Sequence, residues 1–226
     1  LDPSYYADTE DVTQEGILGS YVHGNEPSHH VPYLYMWTSQ PWKTAESISR
    51  IIDKMYNTRI DGLCGNDDCG QMSAWYIFTA LGFYPVCPGS DEYIFGLPQV
   101  QQAELTLKAG SKLTINVRNQ SKKNKYIQAI YWNGERYTKR FISHHTLIEG
   151  GELIYEMGPN PSATCFDDNS LPYSLSTEDA HRIIPAVLEQ HVHGGRLSLK
   201  NGYNILVEGD SLDNEKAWLD KYLKND

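Results

Sequence analysis

Between Asp68 and Leu81 the sequence offers a helix whose middle, Ala74-Trp75-Tyr76-Ile77-Phe78, is apolar on every face. A helix with no water-compatible side is stable only when buried on most sides, which places it between layers of other helices. Gly82 follows as its stop, because glycine readily takes the left-handed conformation that ends helices. At the other end, Asp68 with Gln71 three residues on resembles a capping box, with Asp68 as the N-cap.

A second helix precedes it. From Pro41 to Asn57, the residues Trp42, Ala45, Ile48, Ile51, Ile52, Met55 and Tyr56 recur three or four apart. That spacing makes one apolar stripe, and Pro41 suits the first turn. Beyond about residue 90 the period changes. Leu105–Leu107, Leu113–Val117 and Tyr126–Tyr131 alternate or are β-branched, as strands are. Asn133-Gly134, between Ile130-Tyr131-Trp132 and Arg136-Tyr137, predicts a two-residue hairpin, and Leu153-Ile154-Tyr155 a further strand after Gly150-Gly151. Gly and Asn turns between short strands predict an antiparallel region. In the last stretch Ala180, Ile183, Ile184, Val187, Leu188 and His191 have helical spacing, kinked or begun at Pro185. Arg196–Leu199 and Tyr203–Val207 flank Lys200-Asn201-Gly202 as a hairpin, and Ser211 caps a last helix through Trp218 and Tyr222. The predicted class is α+β, with a helical zone over 1–90, an antiparallel β region over 91–162 and a mixed α/β tail over 163–226.

Composition narrows the function classes. A net charge of −10 argues against a nucleic-acid surface. With 40% apolar and 21% charged residues the chain is neither disordered nor membrane-embedded. No apolar run approaches the roughly 18 residues of a membrane span. A chain that opens at Leu1 without a basic-then-apolar leader is expected to be a fragment or a processed product. The 16 Tyr and 5 Trp suit either a packed core or faces on which pyranose rings stack. Cys64, Cys69, Cys87 and Cys165 are too sparse for a disulfide scaffold and are expected to be buried free thiols. The short loop between Cys64 and Cys69 leaves a bridge open, and the nearby His residues lack zinc-finger spacing.

Two polar segments carry the chemistry. In Tyr21-Val-His-Gly-Asn-Glu-Pro-Ser-His-His30, the residues His23, Asn25, Glu26, His29 and His30 gather within eight positions. Glu26 and Asn25 offer the oxygen ligands that a hard cation such as Ca2+ prefers, and His can hydrogen-bond sugar hydroxyls. The plainer alternative is a helix entry, with Asn25 as cap and Glu26 in the first turn. In Gly65-Asn66-Asp67-Asp68, two adjacent carboxylates open the apolar helix, where they can bind a metal, bind hydroxyls or polarise a water. Adjacent acids raise one another's pKa unless a cation intervenes. The helix–loop–helix calcium spacing is absent. After the helix, Gly82-Phe-Tyr-Pro-Val-Cys-Pro-Gly-Ser90 is a stiff connector in which Tyr84 and Cys87 serve packing, as Trp75 does in the helix.

These segments, in this order and with Pro41-Trp-Lys-Thr44 between them, resemble the C-terminal blocks of glycoside hydrolase family 92 over roughly residues 15–162. The resemblance implies an inverting, calcium-dependent exo-α-mannosidase acting on mannose-containing glycans, with α-1,2 links the first expectation. It implies the closing helices of an (α/α)6 barrel followed by the β region, and export to the periplasm or the medium. Carried over position by position, Asp68 matches the general base, with Asp67 or Asn66 assisting. Glu26 and Asn25 match the calcium motif, and His23, His29, His30 and Asn66 the sugar site. The general acid is a Glu well upstream in the family, whereas Glu10 and Glu15 here lie in no motif. The isolated chain is therefore expected to be inactive and to self-associate through bare barrel faces. A non-catalytic sugar-binding module and a purely structural fragment are the alternatives.

Overall fold

The structure is a computed structural model and describes residues 16–107 and 110–174. Glu10, Glu15 and the elements expected beyond Ala180 lie outside the described residues. The chain enters through a small hairpin, β1 (Ile17–Leu18) with β2 (Tyr21–Val22). A 3-10 turn over Glu26–Ser28 and a 3-10 helix over Val31–Trp37 follow. Helix α1 (Lys43–Met55) buries Ala45, Ile48, Ile51 and Met55, the stripe expected from the spacing. Pro41 stands just ahead of it, its carbonyl accepting from the Thr44 amide at 3.1 Å.

Helix α2 (Gln71–Leu81) differs from expectation at its start and on its surface. Asp68, Cys69 and Gly70 have φ of 43°, 59° and 88°, a left-handed turn that no right-handed helix contains. The helix therefore starts three residues late, and Asp68 makes no capping box. Asp67 caps instead, from six residues away: its Oδ1 accepts from the Ser73 amide at 2.9 Å and its Oδ2 from the Ser73 hydroxyl at 3.0 Å. Met72, Trp75, Thr79 and Ala80 are buried, but Tyr76 and Ile77 are 37% and 58% exposed, so α2 is covered on one side and open on the other. At the far end Gly82 (φ 98°) is the expected stop, its amide bonding Thr79 O and Phe78 O.

The other described strands form two sheets. β3 (Phe83–Tyr84), β4 (Glu92–Phe95) and β9 (Phe141–Ser143) make one, in the order β3-β4-β9. The other contains β5 (Gln102–Thr106), β6 (Lys112–Arg118), β7 (Tyr126–Trp132), β8 (Glu135–Tyr137) and β10 (Gly151–Gly158), in the order β5-β6-β10-β7-β8. Asn133 and Gly134, with φ of 49° and 85°, turn β7 into β8 as a two-residue loop needing two positive φ values. One pairing corrects the antiparallel expectation: β6 and β10 run parallel, Leu113 opposite Gly151 through Arg118 opposite Glu156. Parallel neighbours need a long connection, and β7, β8, β9 and the short helix α3 (His144–Ile148) supply it. Phe95 of one sheet meets Tyr137 and Tyr155 of the other edge-on, with centroids 5.9 Å apart in each case. All four cysteines are free; Cys64 and Cys165 are buried, Cys87 is half-buried and Cys69 is exposed, so the expected burial holds for two.

Helical and β portions interlock through polar groups. Tyr155 donates to Gly82 O at 3.1 Å, and Tyr33 shares a 2.8 Å hydrogen bond with Thr79. Arg140, between β8 and β9, is buried and donates through Nη1 to Met36 O and Thr38 O and through Nη2 to Asp168.

Candidate active site

Two irregular segments meet at the start of α2. Each is irregular for a reason in its sequence: Pro27 limits the first to a single 3-10 turn, and Gly65 and Gly70 let the second run left-handed. His29 joins them. Its Nε2 donates to His23 O at 2.9 Å, and its carbonyl accepts from Trp75 Nε1 at 3.0 Å. Gln71, the first residue of α2, directs its amide nitrogen at His29 Nδ1 (3.4 Å) and Tyr84 Oη (3.2 Å). Trp75, fully buried, packs edge-on against His23 with centroids 4.4 Å apart. The Glu26 turn is thereby held against the Asp68 loop.

The two carboxyl groups so gathered influence each other's ionisation. Hydrogen bonding with Asp68 lowers the pKa of Glu26, and hydrogen bonding with Glu26, some loss of hydration and the charges of Glu26 and Asp67 raise that of Asp68. The two groups therefore titrate as a coupled pair, Glu26 the more readily ionised. Glu26 is half-buried and its Oε1 is sealed from solvent without a hydrogen-bond partner, whereas Asp68 is exposed. A buried carboxylate oxygen with no donor is costly unless a cation or a donor from a ligand meets it. The donor set therefore fits a hard, oxygen-seeking cation. Among the described residues no group of three or more His, Cys, Asp or Glu is arranged for a metal. A cation bound here would need further oxygens from backbone, water or ligand, since calcium takes six to eight.

The other candidates stand as follows. Asn25 is exposed and occupies the position ahead of the 3-10 turn, but its side chain makes no capping bond. Asn66 is exposed on the Asp68 loop, and His30 is half-exposed ahead of the 3-10 helix. His23 and His29 are buried. His23 has both ring nitrogens engaged, Nδ1 with Tyr21 Oη at 2.6 Å and Nε2 with Tyr56 Oη at 2.7 Å, so a sugar hydroxyl finds no free atom on it. Tyr56, Tyr21 and Ser73 escaped the sequence reading. Ser73 lies six residues from Asp67, a separation with no helical or strand period to flag it. Tyr84 is buried and stacks on Tyr33 with centroids 5.2 Å apart, the packing role expected of it.

The geometry bears directly on glycosidic chemistry. In an inverting glycosidase the acid and the base stand about 6.5–9.5 Å apart, leaving room for a water. Carboxyls coupled as closely as Glu26 and Asp68 do not leave that room.

A family model for the glycosyl hydrolase family 92 catalytic domain matches residues 1–159. A family GH92 alpha-mannosidase from Bacteroides thetaiotaomicron, solved with mannoimidazole, is 38% identical with a TM-score of 0.70, over 75% of this chain and 22% of that one. A family GH92 inverting mannosidase of the same bacterium is 39% identical with a TM-score of 0.65, over 70% and 22%. An uncharacterized secreted glycosidase of Arthroderma benhamiae is 33% identical over 156 residues, 67% of this chain and 20% of that protein. The chain thus spans about a fifth of the length of these relatives.

Proposed function

This chain belongs to glycosyl hydrolase family 92, and from that premise we propose that it carries the base side of an inverting exo-α-mannosidase site, with the acid supplied from outside the described residues. The observation that carries this reading is the meeting of the Glu26 and Asp68 segments through His29 and Trp75, which couples the two carboxyls. Two carboxyls this closely coupled serve one side of the reacting sugar, so the leaving oxygen must be protonated by a third. Asp68 is the base in this reading: exposed, raised in pKa and therefore a stronger proton acceptor once ionised. It accepts a proton from the water that attacks the anomeric carbon. Glu26, with Asn25, would hold calcium, which would supply positive charge and oxygen-binding capacity for sugar hydroxyls. His30 and Asn66, both reachable from solvent, are the further groups offered to the sugar. The substrate class is terminal α-linked mannose on glycans, α-1,2 links first, and the setting is the periplasm or the medium. No helix among the described residues is long and apolar enough to cross a membrane. On the same reading further barrel helices pack on the Tyr76 and Ile77 side of α2, and the isolated chain self-associates through it. Concentration-dependent sedimentation that Ile77→Glu abolishes is the expected result, and a monomer at all concentrations counts against it.

The test is mannose release from an α-1,2-linked mannobiose, with calcium and with a chelator, by this chain and by the full-length protein. The full-length protein is expected to release mannose only with calcium, and this chain to release none. Asp68→Asn in the full-length protein is expected to lower kcat by about 10²–10⁴-fold, the usual worth of a general base. Calcium-dependent release by this chain alone would mean that an acid is present within it, and the division of the site proposed above is then wrong.

A further inference from the structure

We propose that Asp67 is a positioning residue and not a second base: its carboxylate is committed to Ser73, and that clasp holds Asp68 where it reacts. The inference rests on the reading of Asp68 as the base and goes beyond it, because the sequence leaves Asp67 as an assisting catalytic group with no stated role. Three observations separate them. Both Asp67 oxygens accept from Ser73, Oδ1 from its amide at 2.9 Å and Oδ2 from its hydroxyl at 3.0 Å, so the carboxylate is turned toward and fixed by the helix start. Asp68 and Cys69 sit at φ of 43° and 59°, a conformation that non-glycine residues keep only when the surroundings impose it. The imposing contacts all come from the first turn of α2: besides the clasp, the Met72 amide donates to Asp67 O and the Gln71 amide to Asp68 O, both at 3.2 Å. The left-handed turn is thus pinned at its start by Asp67 and closed onto the helix, and Asp68 within it stays exposed.

The chemistry of the clasp offers a clean discrimination. An asparagine at 67 can rebuild it: its oxygen accepts from the Ser73 amide and its amide nitrogen donates to the Ser73 hydroxyl. Alanine cannot. In the full-length enzyme, Asp67→Asn is expected to keep kcat within about tenfold, with the pH–rate profile unshifted. Asp67→Ala is expected to lose about 100-fold, the scale of an ångström of misplacement at a reacting group. Ser73→Ala, which keeps one of the two bonds, falls between them, and in all three kcat drops more than KM rises. If Asp67→Asn is as inactive as Asp67→Ala, or as inactive as Asp68→Asn, the negative charge at 67 is itself required and the proposal is overturned. Should Asp67→Ala fail to fold, Asp67→Asn and Ser73→Ala decide alone: Asp67→Asn active with Ser73→Ala reduced supports the clasp, and Asp67→Asn inactive or Ser73→Ala undiminished sinks it. Substantial activity in Asp68→Asn is a different failure, since it removes the base assignment itself, whatever Asp67 does.

Discussion

Both ring nitrogens of His23 are engaged by tyrosine hydroxyls, and burial, then the neighbouring His29, drives its pKa from 6.5 down to about 3. The Tyr56 hydroxyl also donates to Met72 O at 3.2 Å, so it accepts from His23 Nε2–H, and Nδ1 accepts from Tyr21. The ring is neutral in the fold and has no place for a second proton. With the folded pKa depressed, the unfolded chain binds more protons between the two values, so stability is complete above about pH 6.5 and is lost as pH falls toward 3. His29, lowered mainly by burial, acts in the same direction. The raised pKa of Asp68 acts in the opposite one, but that group is exposed and its weight is small. Urea melts between pH 7 and pH 4 are expected to lose a few kcal/mol, and His23→Gln, which keeps a polar side chain without a proton to gain, to flatten the slope. Equal stability at the two ends would contradict this account. The sequence placed His23 in a chemical cluster but could not tell a ligand from a buried bridge, because its partners stand 2 and 33 residues away.

At the scale of elements, α1, α2 and the principal strands were legible because apolar spacing is a local property. The Gly82 stop shows where local reading ends. Its left-handed φ of 98° was foreseeable, but the close approach of Tyr155 was not: a Cβ at 82 would lie 2.7 Å from Tyr155 Oη and 3.1 Å from Pro98 Cβ. Gly134 has a similar φ of 85° and nothing within 4 Å. Comparing the two separates backbone strain from overlap. Gly134→Ala is expected to cost about 1 kcal/mol, from the backbone alone. Gly82→Ala should cost about 2–4 kcal/mol, since Tyr155 must move and its hydrogen bond to Gly82 O is lost. Thermal melts giving equal losses would show that the overlap relaxes without cost. The start of α2 was misread for a complementary reason. A capping box is a three-residue pattern, and the left-handed turn at Asp68 is imposed by a contact spanning six.

Across the whole molecule, the joins between helical and β portions were invisible in the sequence, because they are made by single side chains across large separations. The parallel pairing of β6 with β10 is of this kind: each strand was foreseeable, but no local signal says which strands become neighbours. Arg140 is the strongest join. It stands 104 residues from Met36 in the chain and donates to Met36 O at 2.8 Å and to Thr38 O at 2.7 Å. Its third contact, to Asp168 at 2.9 Å, looks like the salt bridge that would dominate, yet the two partners are unequal: 2% of the Arg140 side chain is exposed and 88% of the Asp168 side chain. A carboxylate that exposed is well hydrated without its partner, so the ion pair contributes little. The carbonyls at the end of the 3-10 helix have no such recourse where they are sealed. Arg140→Met, which fills most of the volume but donates nothing, is therefore expected to cost about 2–4 kcal/mol. Asp168→Asn should cost under about 1 kcal/mol. Denaturant melts that rank the two variants the other way would make the ion pair, and not the bonds to Met36 O and Thr38 O, what holds the 3-10 helix against the sheets.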